Sequence, residues 1–119
     1  IRKIYCQIDV SLKTYQQVAD LLLEIEMELR HLDYWQELPP NPESMKSTLP
    51  FCHDTLEFPQ WLQFIFLQRM RVIVESSGTL PTVCGISPYA EEYFKGSGVN
   101  VESLLGHLVE IDTLLTLEQ

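Results

Sequence analysis

"QWLQFIFLQRMRVIV", residues 60–74, is the most apolar stretch of the chain, yet Arg69 stands inside it. On a helical wheel of about 100° per residue, Gln60, Gln68, Arg71 and Glu75 cluster within about 80° as a wet face, with Phe64 among them. Trp61, Leu62, Ile65, Phe66, Leu67, Met70, Val72, Ile73 and Val74 fill most of the remainder. An apolar arc that wide belongs to a central helix touching several neighbours. Pro59 suits its first turn and Gly78 its stop, so the spacing predicts a helix over residues 58–76. Arg69 projects near the middle of the arc, between Ile65 and Leu62. A guanidinium buried without an anion costs several kcal/mol, so it needs a partner or a route to water.

The final segment offers an anion. "NVESLLGHLVEIDTLLTL", residues 100–117, reads as a helix capped by Asn100, with Val101, Leu104, Leu105, Leu108, Ile111 and Leu115 on its apolar face. Asp112 falls within that face. In an up-down bundle with a short third helix as the return, helices two and four run parallel. Arg69 and Asp112 would then stand at similar heights, about ten or eleven residues into their helices at about 1.5 Å each. The expectation is a buried Arg69–Asp112 ion pair fixing helix register, with Glu91, Glu92 or Asp54 as fallback anions. The functional version of the same reading is a polar pocket lined by the pair.

Two more helices complete the bundle. "TYQQVADLLLEIEMELRHLDYW", residues 14–35, carries Val18, Leu21, Leu22, Ile25, Leu29 and Leu32 in one arc, and Thr14 with Gln17 fits a capping box. "SPYAEEYFKG", residues 87–96, is a short third helix with Ser87 as cap, Pro88 at its first position, and Gly96 after its end. Residues 38–55 form a long proline-containing connection between helices one and two. Pro39, Pro40 and Pro42 stop the first helix, and Asn41 caps a short turn. Long ordered connections are often functional; the plainer role is a strap over one end of a bundle. Residues 1–13 alternate at Ile4, Cys6, Ile8 and Val10, as an extended arm or the fraying start of a helix. The fold class is therefore all-α, an up-down four-helix bundle over residues 14–119 preceded by an N-terminal arm over residues 1–13.

Charge narrows the partners. Eight basic against seventeen acidic residues give a net charge of -9, and the basic ones are scattered. Phosphate neutralisation supplies much of the affinity for nucleic acid, so direct binding of DNA or tRNA is disfavoured, as is an acidic membrane surface. Cys6, Cys52 and Cys84 show no C-x-x-C spacing and read as reduced thiols of a cytoplasmic protein. The first ten residues contain no continuous apolar run of the signal-peptide kind. Leu23, Met27 and Tyr34 form an apolar stripe on the first helix opposite its core face. That stripe is covered by the arm or strap, or serves as a homodimer or partner surface.

Chemistry is sparse. Cys52, His53 and Asp54 are adjacent, but neighbouring side chains rarely converge on one metal, and His31 and His107 fall on polar faces. No metal site and no cofactor is expected. Asp54 reads as a cap for the turn into helix two. No phosphate-cradling glycine loop and no G-x-S-x-G elbow is present.

"IEMELRHLDYW", "LPFCHDTLEFPQWLQFIFLQRM", "LPTVCGISPYAEEYFK" and "LVEIDTLL" together resemble the YqcC-like family of small bacterial proteins, over roughly residues 18–116. The matching positions include Pro50, Phe51, Asp54, Thr55, Gln60, Trp61, Leu62, Gln63, Arg69, Met70, Pro88 and Tyr89. Gln68 stands where the resemblance leads one to expect proline, which implies a straighter helix two. The resemblance implies a helical bundle associated by label with tRNA pseudouridine synthase C. Pseudouridine synthases resemble one another in using a larger mixed α/β fold with an aspartate beside a basic cleft. A short, helical, acidic chain is therefore expected to act as a non-catalytic interaction or accessory module, its protein partner a candidate tRNA pseudouridine synthase. The alternative is a catalytic part in tRNA pseudouridine synthesis, with Asp54 the aspartate to test. The expected contact surface is built from Phe51, Asp54, Thr55, Gln60, Trp61, Gln63, Pro88 and Tyr89.

Overall fold

Nothing between Arg2 and Lys13 breaks a helix, since that segment holds neither proline nor glycine. Helix α1 accordingly runs Arg2–His31, 30 residues, and takes in the expected arm from residue 2 onward. Thr14 is therefore buried inside the helix and is not its cap. The computed structural model describes residues 2–81 and 85–117, with side chains described for residues 13–81 and 85–115. Cys84 and its neighbours Thr82 and Val83 lie outside the described residues.

α1 ends earlier than the periodicity suggests. Asp33 adopts φ 67°, the Tyr34 N–H reaches back to the Leu29 carbonyl, and the Asp33 N–H reaches Arg30. This is a Schellman closure with aspartate in glycine's usual place. Tyr34 is thereby folded inward against Phe94, 5.7 Å between ring centroids.

The connection then crosses the molecule as two 3-10 turns, Pro42–Lys46 and Pro50–Cys52. Asn41 caps the first as expected, accepting from the Glu43 N–H at 2.8 Å. Cys52, Leu56 and Ile65 make a small second core beneath it, with Met45 and Trp61 against them. The long loop is thus a strap with its own apolar lining.

Helix α2 is continuous but not uniform: α-helical at Phe58–Trp61, a π-turn at Leu62–Phe66, and α-helical again at Leu67–Ser76. Within the π-turn the Leu67 N–H bonds to the Leu62 carbonyl, five residues back. One extra residue in a turn rotates everything after it by about 100° relative to an uninterrupted wheel. Leu67 and Met70 thereby come into line with Phe58, Leu62 and Phe66, and all five are buried. The helix runs without a break through Gln68, and its irregularity is an internal phase shift at Leu62–Phe66.

Helix α3, Ile86–Phe94, is followed by Gly96 at φ 76°, and helix α4, Glu102–Leu117, is capped by Asn100, whose Oδ1 accepts from the Glu102 N–H. The principal packing is of α1 on α4, of α1 on the second half of α2, and of α3 on α4. Val18, Leu22, Ile25 and Leu29 meet Leu104, Leu108, Ile111 and Leu115 in one core. The architecture is the expected all-α four-helix arrangement, with no strand among the described residues. No described helix is long and apolar enough to cross a membrane.

Candidate functional site

The strap and the start of α2 gather an aromatic cluster. Phe51 sits at φ 58° and Cys52 at φ 49°, two consecutive left-handed residues that are not glycine. Each such residue costs on the order of 1–2 kcal/mol, so surrounding contacts must hold them. The Phe51 ring stacks on Tyr89 at 4.3 Å and 17°, and meets Trp61 edge-on at 4.8 Å. Phe58, 1% exposed, lies beneath and touches Tyr89, Tyr93 and Phe94 as well. Cys52 is buried. The cluster clamps strap, α2 and α3 together, and its ring contacts hold Phe51 in the left-handed backbone.

The polar residues expected on this surface are spent within the chain. Asp54 is exposed and accepts from Ser47 Oγ at 2.6 Å, so it pins the strap; the α2 cap is Glu57. Gln60 Oε1 accepts from the Glu57 N–H at 2.8 Å, which closes that capping box. Thr55 Oγ1 donates to the Ser44 carbonyl at 2.6 Å. Gln63 is 3% exposed; its Oε1 accepts from the Gln36 N–H at 3.0 Å and its Nε2 donates to the Gln36 carbonyl at 2.9 Å. One side-chain amide thus pairs with both halves of a backbone residue beyond α1. Trp61 and Tyr89 are half-buried, and Pro88 is exposed. The expected residues do come together, as a frame more than as a reactive site.

The expected buried pair is absent. Arg69 is exposed, because the π-turn rotates it out of the apolar arc, and its second half of α2 packs chiefly on α1 rather than α4. Asp112 does face inward, but it serves α3. Its carboxylate accepts from the Ile86 N–H at 3.3 Å and the Ser87 N–H at 2.8 Å. Two of the four N–H groups left open at a helix start are thereby satisfied from another helix, in a direction the helix dipole also favours. Asp112 therefore takes the capping place expected of Ser87. The arginine that does bind a carboxylate is Arg71, which reaches Glu26 of α1; Arg30 meets the same carboxylate at 3.0 Å and lies 4.4 Å over the Trp35 ring.

Leu23 and Met27 are 58% and 64% exposed, while Tyr34 is turned into the fold, so the stripe on α1 is two residues long. Two features were missed by sequence reasoning. Tyr93 donates its hydroxyl to Glu57, and partial burial, then that carboxylate, push the phenol well above its ordinary range. The other is a groove of about 590 Å³ between α1 and α4, lined by Gln17, Asp20, Leu21 and Glu24 on one side and His107, Val109, Glu110, Thr113 and Leu114 on the other. Neither is visible in one helix alone; each needs two helices in register. Among the described residues no three histidine, cysteine or acidic side chains converge as metal ligands would.

The chain belongs to the DUF446 family, described as tRNA pseudouridine synthase C, whose model matches residues 17–114. It is 36% identical over 98 residues to a protein of Haemophilus influenzae strain Rd, covering 82% of this chain and 92% of that one. It is 30% identical over 101 residues to YqcC of Escherichia coli K12, covering 85% and 93%. Neither name assigns a function. A tRNA pseudouridine synthase C of Pectobacterium carotovorum matches at 43% over 65 residues, which are 55% of this chain but 17% of that protein. The solution NMR structure of YqcC from E. coli superposes with a TM-score of 0.75 at 29% identity, covering 87% of this chain and 88% of that one. The resemblance read from the sequence and the helical fold it implied are thus both met.

Proposed function

We propose that the chain is a non-catalytic interaction module that acts as an accessory to a tRNA pseudouridine synthase in the cytosol. The observation that carries this reading is the Pectobacterium match: a stretch similar to 55% of this chain occupies 17% of a longer protein bearing that name. Where the module is part of the same polypeptide it is held beside the rest of that protein; as a separate chain it would reach a synthase by binding. The chemistry supports a supporting role. A net charge of -9 opposes the phosphate backbone that a tRNA-modifying site must attract. Asp54, the aspartate to test for catalysis, is exposed and tied to Ser47 on the strap.

The test mixes the purified chain with a purified tRNA pseudouridine synthase C, with and without tRNA. The expected result is a complex without RNA, at a Kd in the micromolar range or tighter (about -8 kcal/mol). The chain alone forms no pseudouridine. Pseudouridine made by the chain alone, and lost in Asp54→Asn, would establish the enzyme reading instead. No complex at about 100 µM would remove the accessory reading.

A further inference from the structure

We infer that the groove between α1 and α4 is the docking site for a cationic amphipathic helix of a partner protein, an inference that rests on the accessory reading and locates its contact. Residues 17–24 of α1 and 107–114 of α4 line a trough of about 590 Å³. Each run spans about 11 Å of helix, room for two turns of a third helix laid along the trough. Leu21 and Leu114 form its floor, and Val109, 51% exposed, adds to the apolar surface.

The rim is of one sign. Asp20 and Glu24 come from α1 and Glu110 from α4, all three exposed, and no lysine or arginine lines the groove. The basic side chain in its lining is His107, whose Nε2 lies 3.7 Å from Glu24. The contrast with the opposite side of α1 is direct: there Glu26 holds both Arg30 and Arg71. Apolar floor with carboxylates on both walls, of which Glu24 meets His107 while no lysine or arginine lines the groove, is the complement of a helix carrying leucine-like residues along one face and lysine or arginine beside them. Nucleic acid and anionic lipid have the wrong sign. A second copy of this chain is also a poor occupant, since it brings seventeen acidic residues against eight basic ones.

The experiment titrates the full ¹⁵N-labelled chain with a synthetic leucine–lysine amphipathic helix of about 14 residues, near the shortest length that holds helix in water. The expected result is saturable amide shifts centred on Leu21, Glu24, His107, Glu110 and Leu114. D20K/E24K/E110K should weaken binding by roughly tenfold or more, and D20N/E24Q/E110Q by a smaller factor. E43K/E91K/E92K, which changes net charge equally at exposed sites elsewhere, should alter it by less than about twofold. Equal loss in the control triple, shifts centred on Leu23 and Met27 or on the strap, or equal binding of a leucine–glutamate helix would overturn the proposal. The two readings fail separately. A synthase that binds wild type and D20K/E24K/E110K alike removes the groove and keeps the accessory role. A peptide that seats in the groove while no synthase binds does the reverse.

Discussion

The two halves of α2 are held by different means. Phe58–Phe66 is gripped from outside: by the aromatic rings of the strap and α3, by the Gln63 amide on Gln36, and by a capping box at Glu57. Leu67–Ser76 is held by burial of Leu67 and Met70 and by Arg71 on Glu26 of α1. The π-turn joins the two and sets the rotational phase between them. What the difference teaches is that a single extra residue can keep the second half of a helix on the same core as the first, although each half is fastened by different neighbours.

The sharpest way to break that arrangement is to move the phase on the wrong side of the turn. Deleting Gln68 would slide Arg71 into the slot of Met70 and Met70 to the surface. The expected loss is roughly 4 kcal/mol or more, enough to abolish a cooperative urea transition. Deleting Phe64, inside the π-turn, removes the extra residue and leaves Leu67 and Met70 aimed at the core. That variant should fold, with a loss of about 1–2 kcal/mol. Equal losses for the two deletions would refute the phase argument.

The grip on the first half comes next in size. Gln63→Leu frees both the N–H and the carbonyl of Gln36 and should cost about 1–3 kcal/mol, with faster hydrogen exchange at the Gln36 amide and little change beyond Leu67. Asp112→Ala strips the cap from α3 and should cost about 1–2 kcal/mol, seen as a lower urea midpoint. A subtler handle is Tyr93. Its folded-state pKa is raised, chiefly by burial and then by Glu57, so its contribution is fully present below the ordinary phenol value. That contribution is lost as pH rises above about 10, and Tyr93→Phe should flatten the fall in stability there. The smallest effect belongs to Arg69→Ala. An exposed arginine should cost less than about 0.5 kcal/mol, against the 3–5 kcal/mol of breaking a buried pair.

Features written in local chemistry were legible before any coordinates. Asn41, Asn100 and Gly96 mark their turns because a cap or a left-handed residue acts within a few positions. The core faces of α1 and α4 follow from a single period. Arg69 misled because one wheel was drawn through two phases. An apolar arc that fills most of a wheel is what two narrower arcs, offset by about 100°, add up to. That breadth was itself the signal of the π-turn. Asp112 stands out in the sequence as a charge in an apolar face, but its partners are the N–H groups at a helix start, which carry no charge to pair by. The groove and the Glu57–Tyr93 bond depend on side-by-side placement of separate helices.

α3 has nine residues, fewer than an isolated helix needs to persist in water. Its start is closed by a carboxylate 25 and 26 positions further along the chain. During synthesis, then, the segment leaves the ribosome without the group that steadies it. It gains that cap only once the final helix has emerged and doubled back. A chain truncated before Asp112 should therefore fray at the start of α3, with faster hydrogen exchange at Ile86 and Ser87.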